Sequence, residues 1–225
     1  MSRCKTEPIC SAPFSSSREP GQVLAGRFFA QMNIDSNESL LKMPSERTPF
    51  QVTTASTPYE SIQTLPVAIL LENIRSLYNV GSFFRTGDAA AIEKLILSGI
   101  TGKPPHKGLL KTALGSEDTV PWEYRGQAVT IAEELHSQGY ELAMMETTTH
   151  AVDLFDWNPR FPVCVVFGNE VLGVTPPLAA LCDTHVRIPM LGMKHSLNVA
   201  TAGGVVMYEL LRKYRRMVEN AITRR

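Results

Sequence analysis

What most constrains the fold of this chain is a set of short apolar runs set apart by longer stretches of helical spacing. Residues 67–71, 94–97, 140–145, 163–167 and 185–188 are rich in Val, Ile, Leu, Ala, Met and Phe and are four to six residues long. That length fits strands buried on both faces. Between and after them, residues 80–91, 127–138, 177–182 and 197–219 repeat their apolar positions at helical spacing. Strands alternating with helices predict an α/β domain built on a largely parallel sheet, over residues 66–220. The stretch 99–108, with Gly99, Gly102, Pro104, Pro105 and Gly108, reads as a loop. Residues 1–60 lack periodicity and hold Pro8, Pro13, Pro20, Pro44, Pro49 and Pro58. They read as an irregular, partly disordered N-terminal extension, with a short helix near residues 22–32.

Charge excludes little: 22 basic and 22 acidic residues cancel. Any binding of nucleic acid must therefore come from local patches. Cys4, Cys10, Cys164 and Cys182 form no CxxC pair, and the five histidines lack metal-ligand spacing, so no metal site is expected. The thiols read as idle, which suits a reducing compartment. No apolar run reaches the roughly 18–20 residues needed to cross a bilayer, and the first residues lack a secretory core. Arg3, Lys5, Arg18 and Arg27 in a Ser-rich start suggest a transit peptide, but Glu7 and Glu19 oppose that reading, and a cytoplasmic protein is expected.

Three constellations hold the candidate chemistry. The first runs from Asn79 through Gly81 and Arg85 to Ala90, at a strand–loop–helix junction where open α/β sheets place ligands. Asn79 reads as a helix cap, and Arg85, six residues on, is expected to face the same cleft. An ordinary capped helix with a solvated arginine would look the same. The second is Phe167-Gly168-Asn169-Glu170-Val171-Leu172-Gly173, which puts a carboxylate directly after the most apolar run. A solvated turn is the alternative. It is not GxGxxG, so a dinucleotide fold has little support. The third runs from Ile188 to Ala200. Ser196 reads there as the cap of a long helix that carries Gly203 and Gly204 side by side, a costly pair that implies close packing.

In their order and spacing these stretches resemble motifs 1, 2 and 3 of the SpoU/TrmH family of SPOUT methyltransferases. The segment from Lys111 to Glu117, with Val120-Pro121, resembles the family's sequence between motifs 1 and 2. The resemblance covers about residues 67–214. It implies a parallel sheet flanked by helices, with a C-terminal trefoil knot that periodicity does not reveal. It also implies S-adenosylmethionine as cofactor, held by Gly168, Ile188, Ser196 and Leu197, with Thr101 and Gly102 bordering it. Asn79, Arg85, Glu170 and Asn198 match the family's catalytic set. The implied reaction is methyl transfer to a ribose 2′-hydroxyl of tRNA or rRNA, without a metal.

Because a guanidinium is protonated throughout the physiological range, Arg85 is expected to grip phosphate and stabilise an alkoxide rather than act as a base. The family's members are homodimers, and many carry a separate N-terminal RNA-binding domain, which residues 1–60 are too irregular to supply. Arg212, Arg215 and Arg216, near the end of the last helix, are further candidates for RNA contact or for simple helix-dipole compensation. The alternative function is a non-catalytic RNA-binding protein that keeps the SPOUT fold.

Overall fold

A computed structural model describes residues 64–223. The expected N-terminal extension and its short helix lie outside the described residues. The order of elements is β1 (Leu65–Glu72), α1 (Leu77–Ala90), β2 (Ile92–Ser98), α2 (Lys107–Ala113), β3 (Trp122–Arg125), α3 (Ala128–Ser137), β4 (Glu141–Met145), β5 (Val152–Asp153), β6 (Val163–Phe167), α4 (Pro176–Ala179), β7 (Thr184–Arg187) and α5 (Val199–Thr223). Seven strands form one sheet in the order β3-β2-β1-β6-β4-β7-β5, and every pairing is parallel.

The apolar runs lie where they do because the sheet is covered on both sides. Successive strand side chains point to opposite faces. Leu65, Val67, Ile69 and Leu71 of β1, with Val163, Val165 and Phe167 of β6, face a core closed by Val80, Phe83 and Phe84 of α1 and Val206, Met207 and Leu210 of α5. Ala68, Leu70, Cys164 and Val166 face the other side, under Ala128, Ile131, Ala132 and Leu135 of α3 and Leu178 of α4. Each Val, Leu, Ile, Met or Phe among them contributes roughly 1.5–3 kcal/mol when fully buried. Phe83 meets Phe167 edge to face, with ring centroids 5.1 Å apart. Cys164 is wholly buried, and burial pushes the Cys182 thiol up to about 12, so both stay protonated at neutral pH.

The structure departs from the sequence expectation in places. Helix α2 occupies what reads as the end of a loop, and the short strands β3 and β5 went unrecognised. Too few turns fit in α2 for its apolar spacing to register, and four- and two-residue strands hold too few positions for alternation. The cap of α1 is Ser76, whose side chain accepts from the Asn79 N–H, so the helix starts at Leu77 and Asn79 sits in its first turn. The cap of α5 is Asn198 rather than Ser196: its Oδ1 accepts from the N–H groups of Ala200 and Thr201 at 3.0 and 3.3 Å. An asparagine at that place satisfies two first-turn donors that a shorter serine two residues earlier does not reach.

Only one of the paired glycines in α5 is needed for close approach. A Cβ on Gly203 would run into the Phe83 ring, whereas one on Gly204 would meet only Thr86 Cγ2, at 3.8 Å. Gly81 of α1 faces a harder wall, because a Cβ there would collide with the Leu109 carbonyl and the Thr112 hydroxyl of α2. No described helix is long and apolar enough to cross a membrane.

These contacts predict opposite outcomes for two alanines. Gly81→Ala should lower stability by about 1–3 kcal/mol, since backbone cannot yield as a side chain can. Gly204→Ala should raise it by up to about 1 kcal/mol through helix propensity. Thermal unfolding of each against the parent chain reads the sign.

Candidate functional site

The parallel strands end together, and the loops after β1, β4 and β6 meet above them. The Glu170 carboxylate, three residues beyond β6, is the centre of that meeting. Its Oε2 accepts from the Arg75 N–H at 3.2 Å, and its Oε1 accepts from the Ser76 N–H at 3.4 Å and from Asn79 Nδ2 at 3.0 Å. The Asn79 Oδ1 then accepts from Asn198 Nδ2 at 3.2 Å. Asn198 in turn caps α5. Burial alone would raise the Glu170 carboxyl, but its own backbone N–H, those of Arg75 and Ser76, and the Asn79 amide together hold it below the usual carboxylate range. One row of polar groups thus joins the start of α1, the loop after β6 and the start of α5.

The loop carrying Glu170 is shaped by its neighbours. Asn169 and Gly173 pair across it, and Asn169 Oδ1 accepts from the N–H groups of Val171 and Leu172. Asn169 Nδ2 donates to the Asn73 carbonyl, which fastens the same loop to the end of β1. Gly168 must be glycine here, because a Cβ would strike the backbone of Gly173 and Val174.

Beside this row lies a cavity of about 230 Å³ lined by the ends of β4, β6 and β7 and the start of α5. Gly168, Ile188, Ser196 and Leu197, all expected there, line it, and so does Glu170. Phe167, Val186 and Ala202 give it apolar walls, and its polar groups include Glu146 and Thr147. Sequence reasoning missed Glu146. It directly follows β4, as the Glu170 loop directly follows β6, and that position was the available signal. Its Oε1 accepts from the Val174 N–H at 2.9 Å, which holds the far end of the Glu170 loop. His195 also lines the cavity.

Other expected residues lie elsewhere. Thr101 is buried and braces the chain between β1 and α1: its hydroxyl donates to the Leu71 carbonyl and accepts from the Ile74 N–H, both at 3.0 Å. Gly102 packs against Leu77. Arg85 does not share the cleft of Asn79. Six residues of helix turn it about 240° round the axis, and it is exposed beside a second cavity lined by Asp88, Leu114, Gly115, Ser116 and Thr119. At the C-terminus, Arg212 donates twice to Glu209, from Nε at 2.7 Å and Nη2 at 2.5 Å. Arg215 lies 3.7 Å from Glu219. Arg216 borders a cavity beneath α5 with Phe155, Trp157 and Lys213.

Residues 66–208 match the model of the SpoU rRNA Methylase family. The chain belongs to this SpoU family. Among its relatives, an uncharacterized tRNA/rRNA methyltransferase of Synechocystis is 30% identical over 204 residues, 87% of this chain and 74% of that protein. The tRNA (guanosine(18)-2′-O)-methyltransferase of Escherichia coli is 26% identical over 65% of this chain and 63% of its own. An AdoMet-bound rRNA methyltransferase from Sinorhizobium meliloti superposes with a TM-score of 0.61 at 27% identity, over 65% of this chain and 56% of that one. The chain thus spans less than two thirds of the length of several SpoU proteins that it matches.

The lowered Glu170 carboxyl sets a pH window for this SpoU site. Its ionised form is favoured by folding, so its contribution to stability is full above the ordinary glutamate value of about 4.3 and is lost as pH falls through the lower folded value. The melting temperature of Glu170→Gln should therefore lie below that of the parent at pH 7, and the gap should narrow toward pH 3. A gap independent of pH would remove the charge of Glu170 from the clamp.

Proposed function

We propose that this chain is an S-adenosylmethionine-dependent RNA methyltransferase acting on a ribose 2′-hydroxyl of tRNA or rRNA. The observation that carries the reading is the hydrogen-bonded row Glu170–Asn79–Asn198 at the edge of a cavity. It draws together all three motif stretches, which lie far apart in the chain. The family match, the AdoMet-bound S. meliloti structure and the 2′-O activity of the E. coli relative support it.

The cavity suits a cofactor with both apolar and polar parts. Ile188, Leu197 and Phe167 would pack against its rings, and Gly168 and Ser196 would offer backbone groups at close approach. When bound, S-adenosylmethionine supplies a methyl group already activated by its sulfonium. The chain's own task is then to align the 2′-oxygen and stabilise it as its proton leaves to phosphate or water. Asn79 and Asn198 fix that geometry. Glu170 orders the loops rather than taking the proton, because its lone pairs are already engaged by N–H donors.

Arg85 grips the phosphate next to the target and stabilises developing alkoxide. Since it opens on a different side of α1, its entry into the site is assigned to a second copy, in a homodimer. The exposed Val171, Leu172, Leu191 and Met193 supply apolar surface near the cavity for such a contact. A trefoil knot formed by the segment leading into α5, and a catalytic domain over residues 66–220, belong to the same proposal. Arg212, Arg215 and Arg216 are assigned only a secondary part in RNA contact, since two of the three are matched by glutamates on their own helix.

The experiment is methyl transfer from labelled S-adenosylmethionine to total RNA, followed by nucleoside analysis, alongside calorimetric binding of the cofactor. Arg85→Ala should reduce transfer at least 100-fold and leave cofactor affinity within about threefold. Near-normal turnover by that variant would take Arg85 out of the mechanism. Failure of the parent chain to bind millimolar cofactor would favour a non-catalytic RNA-binding protein.

A further inference from the structure

Between Glu93 and Glu117 the chain carries no acidic residue, but it carries Lys94, Lys103, His106, Lys107 and Lys111. Lys94 lies over the Tyr140 ring on β2. The other four are exposed and gather on α2 and the turn before it. Helix α2 is two-sided. Leu109 and Ala113 are buried against α1, whereas Lys107 and Lys111, one turn apart, share the outward side with Leu114. Neither lysine has an ion pair among the described residues, in contrast to Arg212 and Arg215 of α5. Two unneutralised like charges on adjacent turns oppose so short a helix. The helix is held instead by its tight seat on α1, where Thr112 Oγ1 donates to the Tyr78 carbonyl at 2.9 Å and Leu109 closes on Gly81.

That seat fixes where the charge lies. The start of α2 lies against Leu77, where Gly108 meets its side chain, and the last turn reaches the Tyr78 carbonyl through Thr112. That same end, at Ala113, Leu114 and Gly115, walls the cavity that holds Arg85. The helix therefore lies alongside α1 between Leu77 and the cavity of Arg85. Tyr78 is 52% exposed beside the last turn of α2, and Lys103 Nζ stands 4.3 Å over the ring centroid of Tyr124 on the edge strand β3. The facing acids are few and partly engaged. Asp88 accepts from Thr119 Oγ1, Glu117 accepts from the Gly115 N–H, and Asp118 and Glu123 lie beyond them. Ammonium groups interleaved with open aromatic faces match a strand of nucleic acid, phosphates to the lysines and a base to a tyrosine.

We propose that the outward side of α2, with Lys107 and Lys111 at its centre and Lys103 and Tyr78 at its margin, is the surface on which substrate RNA docks. It rests on the methyltransferase reading above and adds to it the place where RNA enters. Phosphates held on α2 would lead the strand past Tyr78 toward Asn79, so the target ribose arrives beside Glu170, where the Arg85 that meets its neighbouring phosphate comes from the second copy.

The test is binding of the full-length chain to unfractionated tRNA from 50 to 300 mM KCl, with Lys107→Glu/Lys111→Glu compared with the parent and with Arg216→Glu. Contacts with phosphate are insensitive to sequence, so this probe serves whichever RNA is modified. The double variant should raise Kd at least tenfold at 100 mM KCl and flatten the slope of log K against log salt by about two. Its melting temperature and affinity for S-adenosylmethionine should not change. If the reversal unfolds the chain, Lys107→Gln/Lys111→Gln should show the same flattening in smaller measure. A Kd and slope within twofold of the parent, or a larger loss from Arg216→Glu, would overturn the docking surface. A parent chain that binds tRNA and cofactor but transfers no methyl group would sink the enzymatic reading and leave the surface standing.

Discussion

One carboxylate holds the working end of this molecule together. The Glu170 side chain takes three donors from the chain between β1 and the first turn of α1, and Asn79 passes the connection on to Asn198. Without it, the loop after β6 would still be tied by Asn169 to Asn73, by Val174 to Glu146 and by Thr175 to Glu72, but its link to the start of α1 would be lost. Each of these polar links is modest alone, on the order of 1 kcal/mol net, and charge on the acceptor raises it. Their value lies in position. The loops they join are surface segments, and the rigid sheet beneath supplies the fixed points that such segments lack.

The central sheet was legible because its strands are buried twice. Residues 163–167 read as a strand and are one, with the same ends, since every side chain from Val163 to Phe167 is enclosed. Glu170 was legible from its place just after a strand, whereas Asn198 enters only through the family resemblance, since the sequence pattern points to Ser196 as the cap. Distance round a helix was not legible. Arg85 follows Asn79 closely in sequence, yet a turn count of six residues separates the two faces. Thr101, expected from the resemblance to border the cofactor, spends its hydroxyl internally on the Leu71 carbonyl and the Ile74 N–H, a role that sequence does not display. Helix α2 was hidden by the Pro104-Pro105 pair before it and by its seven-residue length.

Electrostatics divides the surface in a way that net charge conceals. The equal totals of basic and acidic residues say nothing about spacing. On α5, Arg212 and Lys213 pair with Glu209, and Arg215 with Glu219, at helical intervals. Lys213 is drawn further inward, where burial lowers it below the usual lysine range and the carbonyls of Phe155 and Trp157 accept from its ammonium. Among the described residues, the lysines of α2 stand without such partners. A field of one sign beside a cleft concentrates an oppositely charged ligand there even when the whole chain is neutral.

The order of strands also bears on how the chain reaches this state. β1 lies between β2, its near neighbour in sequence, and β6, whose Cys164 pairs with Ala68 across ninety-six residues. During synthesis β1, β2 and β3 can assemble early from local contacts. The other edge of β1, a row of Val, Ala, Ile and Leu, waits for β6 to emerge from the ribosome. Closing so long a loop before the pairing rewards it slows folding. For that interval the nascent half-sheet presents an apolar, unpaired edge, the kind of surface on which chains stick to each other.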